Sequence, residues 1–306
     1  MDYYIARHKF DVDEALGEVR GFQAFTTPTE MGSGPQFCPF CNRVSAEEWH
    51  VSPAVFRKEP MSDHAVYEFH FSETNTECMF AACREGDAQP PTLQLSMRSD
   101  SGGQPLSLDW HYGSDTASIY PNGSEADLRF ALWYAFAMMA SSAATTLIHS
   151  ATIVHKDHAV LFLGESGTGK STHARLWTEH VPDAWLLNDD SPALSLSSGS
   201  PLVFGTPWSG KTPCYHNIGY PLLAVVRLEQ RPYNAIRRLS PLEALSAILP
   251  SLPPAFAYEE CLRENMMVIA ERVVEAVPVF LLGCLPHASA ADLCAETLDT
   301  LIPHSS

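Results

Sequence analysis

Gly164-Glu165-Ser166-Gly167-Thr168-Gly169-Lys170-Ser171 is the stretch that decides how the rest of the chain reads. It fits the phosphate-loop pattern G-x-x-x-x-G-K-[S/T] at every constrained position. Before it stands a short apolar run, Ala159 to Leu163, which reads as a buried strand. After it a helix is expected from Lys170 to about His180, the strand-loop-helix context that the pattern requires. The residue types suit a polyphosphate. Glycines let the backbone curl until successive amide hydrogens face inward, and the helix behind adds its positive end. Lys170 suits the β- and γ-phosphates, and the Ser171 hydroxyl suits magnesium. The expected ATP contacts are Gly164, Glu165, Ser166, Gly167, Thr168, Gly169, Lys170, Ser171 and Thr172. A Gly-Ser connection without chemistry is the alternative, and the two flanking elements argue against it.

Beyond the helix, Trp185-Leu186-Leu187 reads as the next strand and ends in Asn188-Asp189-Asp190. An acid at a strand's carboxyl end can hold magnesium, and a second can take a proton from an attacking hydroxyl. Neighbours on an extended strand point to opposite faces, so both acids serve one site only if the strand ends or bends at Asn188. The competing reading is a solvated acidic turn before Pro192. Upstream, His149 lies in Leu147-Ile148-His149-Ser150-Ala151, a segment expected to pair with the strand entering the loop. Lone histidines more often fill cores or surfaces than catalyse, so the residue by itself leaves its role open.

The run from His149 through the loop to Asp189-Asp190 resembles the catalytic core of the HPr kinase/phosphorylase family. The loop and acidic strand also resemble the nucleotide site of phosphoenolpyruvate carboxykinase. The likeness covers roughly Ile148 to Leu228. It implies a kinase acting on a hydroxyl, most simply a serine of a protein or peptide, with a small hydroxylated metabolite as the other acceptor class. By position, Asp190 matches the family's proton acceptor, Asp189 its neighbour near the metal, and His149 the histidine supporting the acids. Lys170 and Ser171 keep their phosphate and magnesium roles, and a homo-oligomer is implied. Val203 to Lys211 departs from the family, lacking the metal-binding glutamate found there, which argues against phosphorylase activity. That stretch forms a second polar loop, in which Trp208 is either a stacking face for adenine or a packed turn residue.

The remainder of the chain bounds this reading. Its 306 residues carry 36 acids against 19 bases, a net charge of -17, and no basic run longer than a pair such as Arg237-Arg238. Nucleic acid is excluded as a partner, because phosphate neutralisation dominates that affinity. Phe130 to Ile148 is uncharged but rich in Ala, Ser and Thr, so it reads as a buried helix and not a membrane span. With no signal-like N-terminus, the cytoplasm is the expected compartment, with reduced thiols. Cys38, Cys41, Cys78 and Cys83 have spacings at which a four-thiolate zinc site is conceivable, against ordinary free thiols.

Two halves are expected. Residues 1–123 favour strands and turns: Val66 to Phe71 and Thr92 to Met97 alternate, and Leu106 to Tyr112 and Ala117 to Tyr120 follow. Residues 124–306 open with a helix capped by Ser124, then alternate strands and helices. The fold class is therefore α/β, or α+β overall: a β-rich N-terminal domain followed by a phosphate-loop domain with a mixed sheet. Besides the kinase, the pattern admits a nucleotide-dependent switch that hydrolyses ATP slowly and grips a partner. Arg227, Arg231, Arg237 and Arg238 have no spacing argument and stay outside the expected site.

Overall fold

The computed structural model describes residues 1–31, 47–54, 66–84, 89–99, 105–120, 122–210 and 212–302. The first part supplies β1 (Asp2–Ile5), β2 (His8–Val12), β3 (Glu30–Met31), β4 (Glu48–Pro53), β5 (Tyr67–Phe71), β6 (Thr76–Cys83), β7 (Thr92–Ser99), β8 (Leu106–His111) and β9 (Thr116–Tyr120). Eight of these form one sheet in the order β1-β2-β4-β9-β8-β7-β6-β5, antiparallel except where β4 joins β2 and β9. Burial alternates along β2, β4 and β9, where one face packs inward and the other is more open, while Leu93 to Met97 of β7 are all buried. The tight β1–β2 turn needs positive φ at both central residues, and Ala6 and Arg7 adopt 50° and 72°.

Helix α1 (Glu125–Ser142) opens with a reciprocal capping box between Ser124 and Asp127. From Ala131 to Ser141 it is buried except for Trp133, because it lies between the first sheet and the elements that follow. Then come β10 (Thr145–Leu147), β11 (Ala151–His155), β12 (His158–Leu163), α2 (Lys170–His180), β13 (Trp185–Asn188), β14 (Ala193–Ser195), β15 (Leu202–Phe204), β16 (Ile218–Gln230) and β17 (Ala235–Arg238). The described chain closes with α3 (Pro241–Ile248), α4 (Glu260–Ala276), β18 (Val279–Cys284) and α5 (Ala288–Asp299).

The second sheet is mixed and runs β10-β14-β15-β16-β12-β11-β13. The 13 residues of β16 let one end pair with β15 and β3 while the other pairs with β12 and β18. Both faces are covered. Val160 and Phe162 of β12 pack toward α2 and α5, whereas Ala159, Leu161 and Leu163 join the larger core with α1 and α4. That larger core is continuous from Tyr3 to Val279, and β3 contributes to the second sheet from within the first 31 residues.

Two expectations change. Leu147 to Ala151 is not one strand: β10 pairs with β14, β11 pairs with β12, and residues 148–150 lie between. Between them Ile148 and Ser150 donate to Pro192 O and Asp190 O, carrying on along the β14 side, while His149 donates the other way to Ser251 O, and only from Ala151 does the chain pair with β12. The four-thiolate zinc site also fails on its described half; Cys38 and Cys41 lie outside the described residues. Cys78 and Cys83 sit five positions apart on β6, so they face opposite sides, roughly 16 Å apart, and cannot share an ion. Burial pushes the Cys78 thiol up to about 12, the range of an inert thiol. Among the described residues no helix is long and apolar enough to cross a membrane.

Candidate phosphate and acid site

Strands β12 and β13 both pair antiparallel with β11, so they run parallel to one another and end at the same edge. The glycine-rich loop leaves β12 there, and Asp189 and Asp190 leave β13. Gly169 takes φ 104°, a left-handed conformation that L side chains rarely adopt, at the N-cap of α2. The turn aims the first helical amides at the space above the loop. Lys170 Nζ donates to Gly164 O at 2.8 Å and Glu165 O at 3.3 Å, arching its ammonium back over the loop. Thr168 Oγ1 also donates to Glu165 O. Burial lowers the Lys170 pKa, with the Arg227 charge adding to it and the Asp190 and Asp189 charges opposing it.

A side-chain network turns the chain at the end of β13. Asn188 is fully buried; its Oδ1 accepts from Asp190 N and Ser191 N, both at 2.9 Å, and its Nδ2 donates to Trp208 O at 3.2 Å. Such a turn is what asparagine side chains stabilise, and it supplies the bend that two acids in one site require. Asp190 Oδ1 lies 3.5 Å from His149 Nδ1, and Ser191 Oγ donates to Asp190 Oδ2 at 2.8 Å. Burial disfavours the charged form of Asp190, but the His149 and Ser191 contacts, with the His149 and Arg129 charges, outweigh it and lower the pKa. Asp189 moves the other way. Burial and the neighbouring Asp190 charge raise it, against a Ser171 hydrogen bond and the charges of Lys170 and His149.

Asp189 Oδ1 is buried with no hydrogen-bond partner. A buried carboxylate oxygen without a donor is costly, and a hard cation satisfies it. With the Ser171 hydroxyl beside it, Asp189 offers oxygen donors of the kind magnesium takes, so these residues fit the ion.

Next to the loop opens a cavity of about 540 Å³, between Thr172 and Leu176 of α2 on one side and Leu228, Pro232, Leu285 and Pro286 on the other. It is mainly apolar, with Gln230 at its rim donating to Gly167 O at 3.3 Å. Trp208 is elsewhere. It is 2 % exposed, packs edge-on to Phe22 with ring centroids 5.5 Å apart, and donates Nε1–H to Arg129 O. It is the packed turn residue and has no face for a base. The loop carrying it covers the acids instead: Gly210 approaches so closely that a Cβ there would stand 3.0 Å from Asp189 O. Arg129 of α1 secures that loop, donating to Pro207 O at 2.9 Å and Ser209 O at 3.3 Å.

The structure thus gathers His149, Lys170, Ser171, Asp189 and Asp190 at one sheet edge. The sequence reading overlooked the cavity, Arg129 and Gln230, which come from elements distant in sequence.

No family model matches the chain, and no curated protein matches it. Among solved structures, the Hpr(Ser) kinase/phosphatase from Coxiella burnetii is similar at 15 % identity with a TM-score of 0.30. The match covers 51 % of this chain and 88 % of that one. A likeness this distant carries no weight for fold or chemistry, which rest on the residues described above.

Proposed function

We propose that the chain is an ATP- and magnesium-dependent kinase that transfers the γ-phosphoryl group to a hydroxyl, with Asp190 as the base. The observation that carries it is the convergence of two carboxylates with opposite pKa shifts on one lysine-bearing loop at a helix N-terminus. Asp190 is held ionised, as a proton acceptor must be, and His149 beside it fixes its orientation. The Lys170 ammonium sits at the loop carbonyls, from which phosphates would draw it inward. Ser171 and Asp189 would hold magnesium, which when bound offsets charge on the phosphate oxygens. The apolar cavity beside the loop favours a nucleoside triphosphate over pyrophosphate as donor, since a base and ribose need such a wall. A serine of a protein or peptide is the acceptor we favour, because His149 and Asp190 are partly exposed.

Transfer of label from γ-labelled ATP into a lysate and into a metabolite extract tests this, comparing wild type with Asp190→Asn. A discrete labelled acceptor that vanishes in the variant supports the kinase. Label recovered only as free phosphate, equally in both, overturns it in favour of the nucleotide switch.

A further inference from the structure

Arg227 lies on β16 in register with Leu163, the residue that delivers the chain into the loop. Adjacent strands are about 4.8 Å apart, so a guanidinium on this position reaches the space above Gly164 and Glu165. One arm donates to Ala247 O at 3.0 Å, in the last turn of α3; the other stands 4.0 Å from Glu165 Oε1. The carboxylate is a loose counterion: Glu165 is 86 % exposed and Arg227 only 21 %. Among the described residues the single Ala247 contact is the only hydrogen bond of a group with five donors. A second cation beside Lys170 with so little neutralisation is unfavourable without an anion, and its charge is felt at Lys170.

Resting on the kinase reading, we propose that Arg227 is a catalytic residue that leaves Glu165 and contacts the phosphoryl group in flight. In that step the acceptor oxygen forms a bond to the γ-phosphorus while the bond from phosphorus to the bridging oxygen breaks. ADP departs with that electron pair, and the hydroxyl proton passes to Asp190. Charge grows on the bridging and equatorial oxygens, where a planar, permanently charged fork is worth most. Segment 247–251 spans the same side of the site, binding Arg227 through Ala247 O and the His149 amide through Ser251 O. Arg227 and the base are therefore held against one piece of backbone.

The full chain with magnesium is titrated with two probes, ATP and ADP with aluminium fluoride, the latter a mimic of the group in flight. Arg227→Gln should keep its ATP affinity within about threefold and lose roughly 100-fold or more for the mimic, the scale on which such arginines act. Arg227→Lys should recover part of that loss. Equal affinity of wild type and Arg227→Gln for the mimic overturns the proposal. So does a parallel loss for both probes with a lowered melting temperature, the signature of a cap on α3 and nothing more. If the kinase reading itself is at fault, wild type and Lys170→Ala bind both probes equally poorly; a selective effect of Arg227 then never appears, and both ideas fall.

Discussion

Strands β2, β5 and β9 of the first sheet alternate between more and less buried residues, whereas β11 and β12 of the second are buried along their whole length. Half-buried strands alternate in sequence and tolerate change on their outer face; doubly covered ones become rigid rods whose ends hold position. The candidate site sits at the ends of β12 and β13, with His149 in the segment just before β11. The first sheet contributes support: α1, packed against it, sends Arg129 to the loop over the acids. Precise geometry is concentrated where packing leaves least freedom.

The largest effect expected from this division is chemical and nearly silent in stability. Asp190→Asn should lower transfer by roughly a thousandfold, with ATP affinity and melting temperature little changed. Loss of ATP binding in that variant would mean the acid shapes the phosphate site and not the proton transfer. Next comes the packing contrast. Phe162→Ala removes a fully buried ring from β12 and should cost about 4 kcal/mol in denaturant unfolding. Tyr67→Ala, on edge strand β5 and stacked on exposed Tyr258 at 4.8 Å, should cost about 1 kcal/mol. Equal losses would erase the distinction between the sheets.

Acid should then probe both regions together. His8 beside Trp49 and His173 beside Trp177 are each lowered to about 4 by burial, with the Arg7 charge adding to the shift at His8. Between pH 6.5 and 4 the unfolded chain binds protons that the folded chain refuses, so stability falls as pH drops through that window. The slope is about 1.4 kcal/mol per pH unit for each histidine fully in it. Replacing His8 with Phe should remove its share. Since one core joins the two regions, urea melts followed at either should coincide; separate midpoints would show two independent units. The smallest effect is expected from Arg129→Gln, which loosens the loop over the acids and should lower transfer by about tenfold while sparing ATP affinity.

What the sequence disclosed follows the range of the interactions involved. The glycine-rich loop, its strand and helix, and the acids after Leu187 are each encoded within a few neighbouring residues, and the elements form there. The turn between β11 and β12 at Lys156-Asp157, both at positive φ, is set just as locally. Trp208 keeps two readings in the sequence because Phe22 and Arg129, which decide between them, approach it from far away in the chain. Arg227 had no visible role for the same reason: its meaning is its register against Leu163, a pairing that no spacing reveals. Strands β1, β2, β4, β6 and β17, and the two residues of β3, were not anticipated, and Phe130 to Ile148 is not helix throughout: α1 ends at Ser142 and Thr145–Leu147 is β10, held by its pairing with the distant β14.

Strand β18 pairs with β16 on one side and β17 on the other, although both precede it in the chain. During synthesis, then, the sheet waits with a gap, and the wall formed by Leu285 and Pro286 is missing until that gap closes. A nascent chain halted before residue 279 would carry the whole glycine-rich loop yet lack one side of its cavity. That cavity is therefore completed late and nearly all at once, when β18, the last strand among the described residues, enters the sheet.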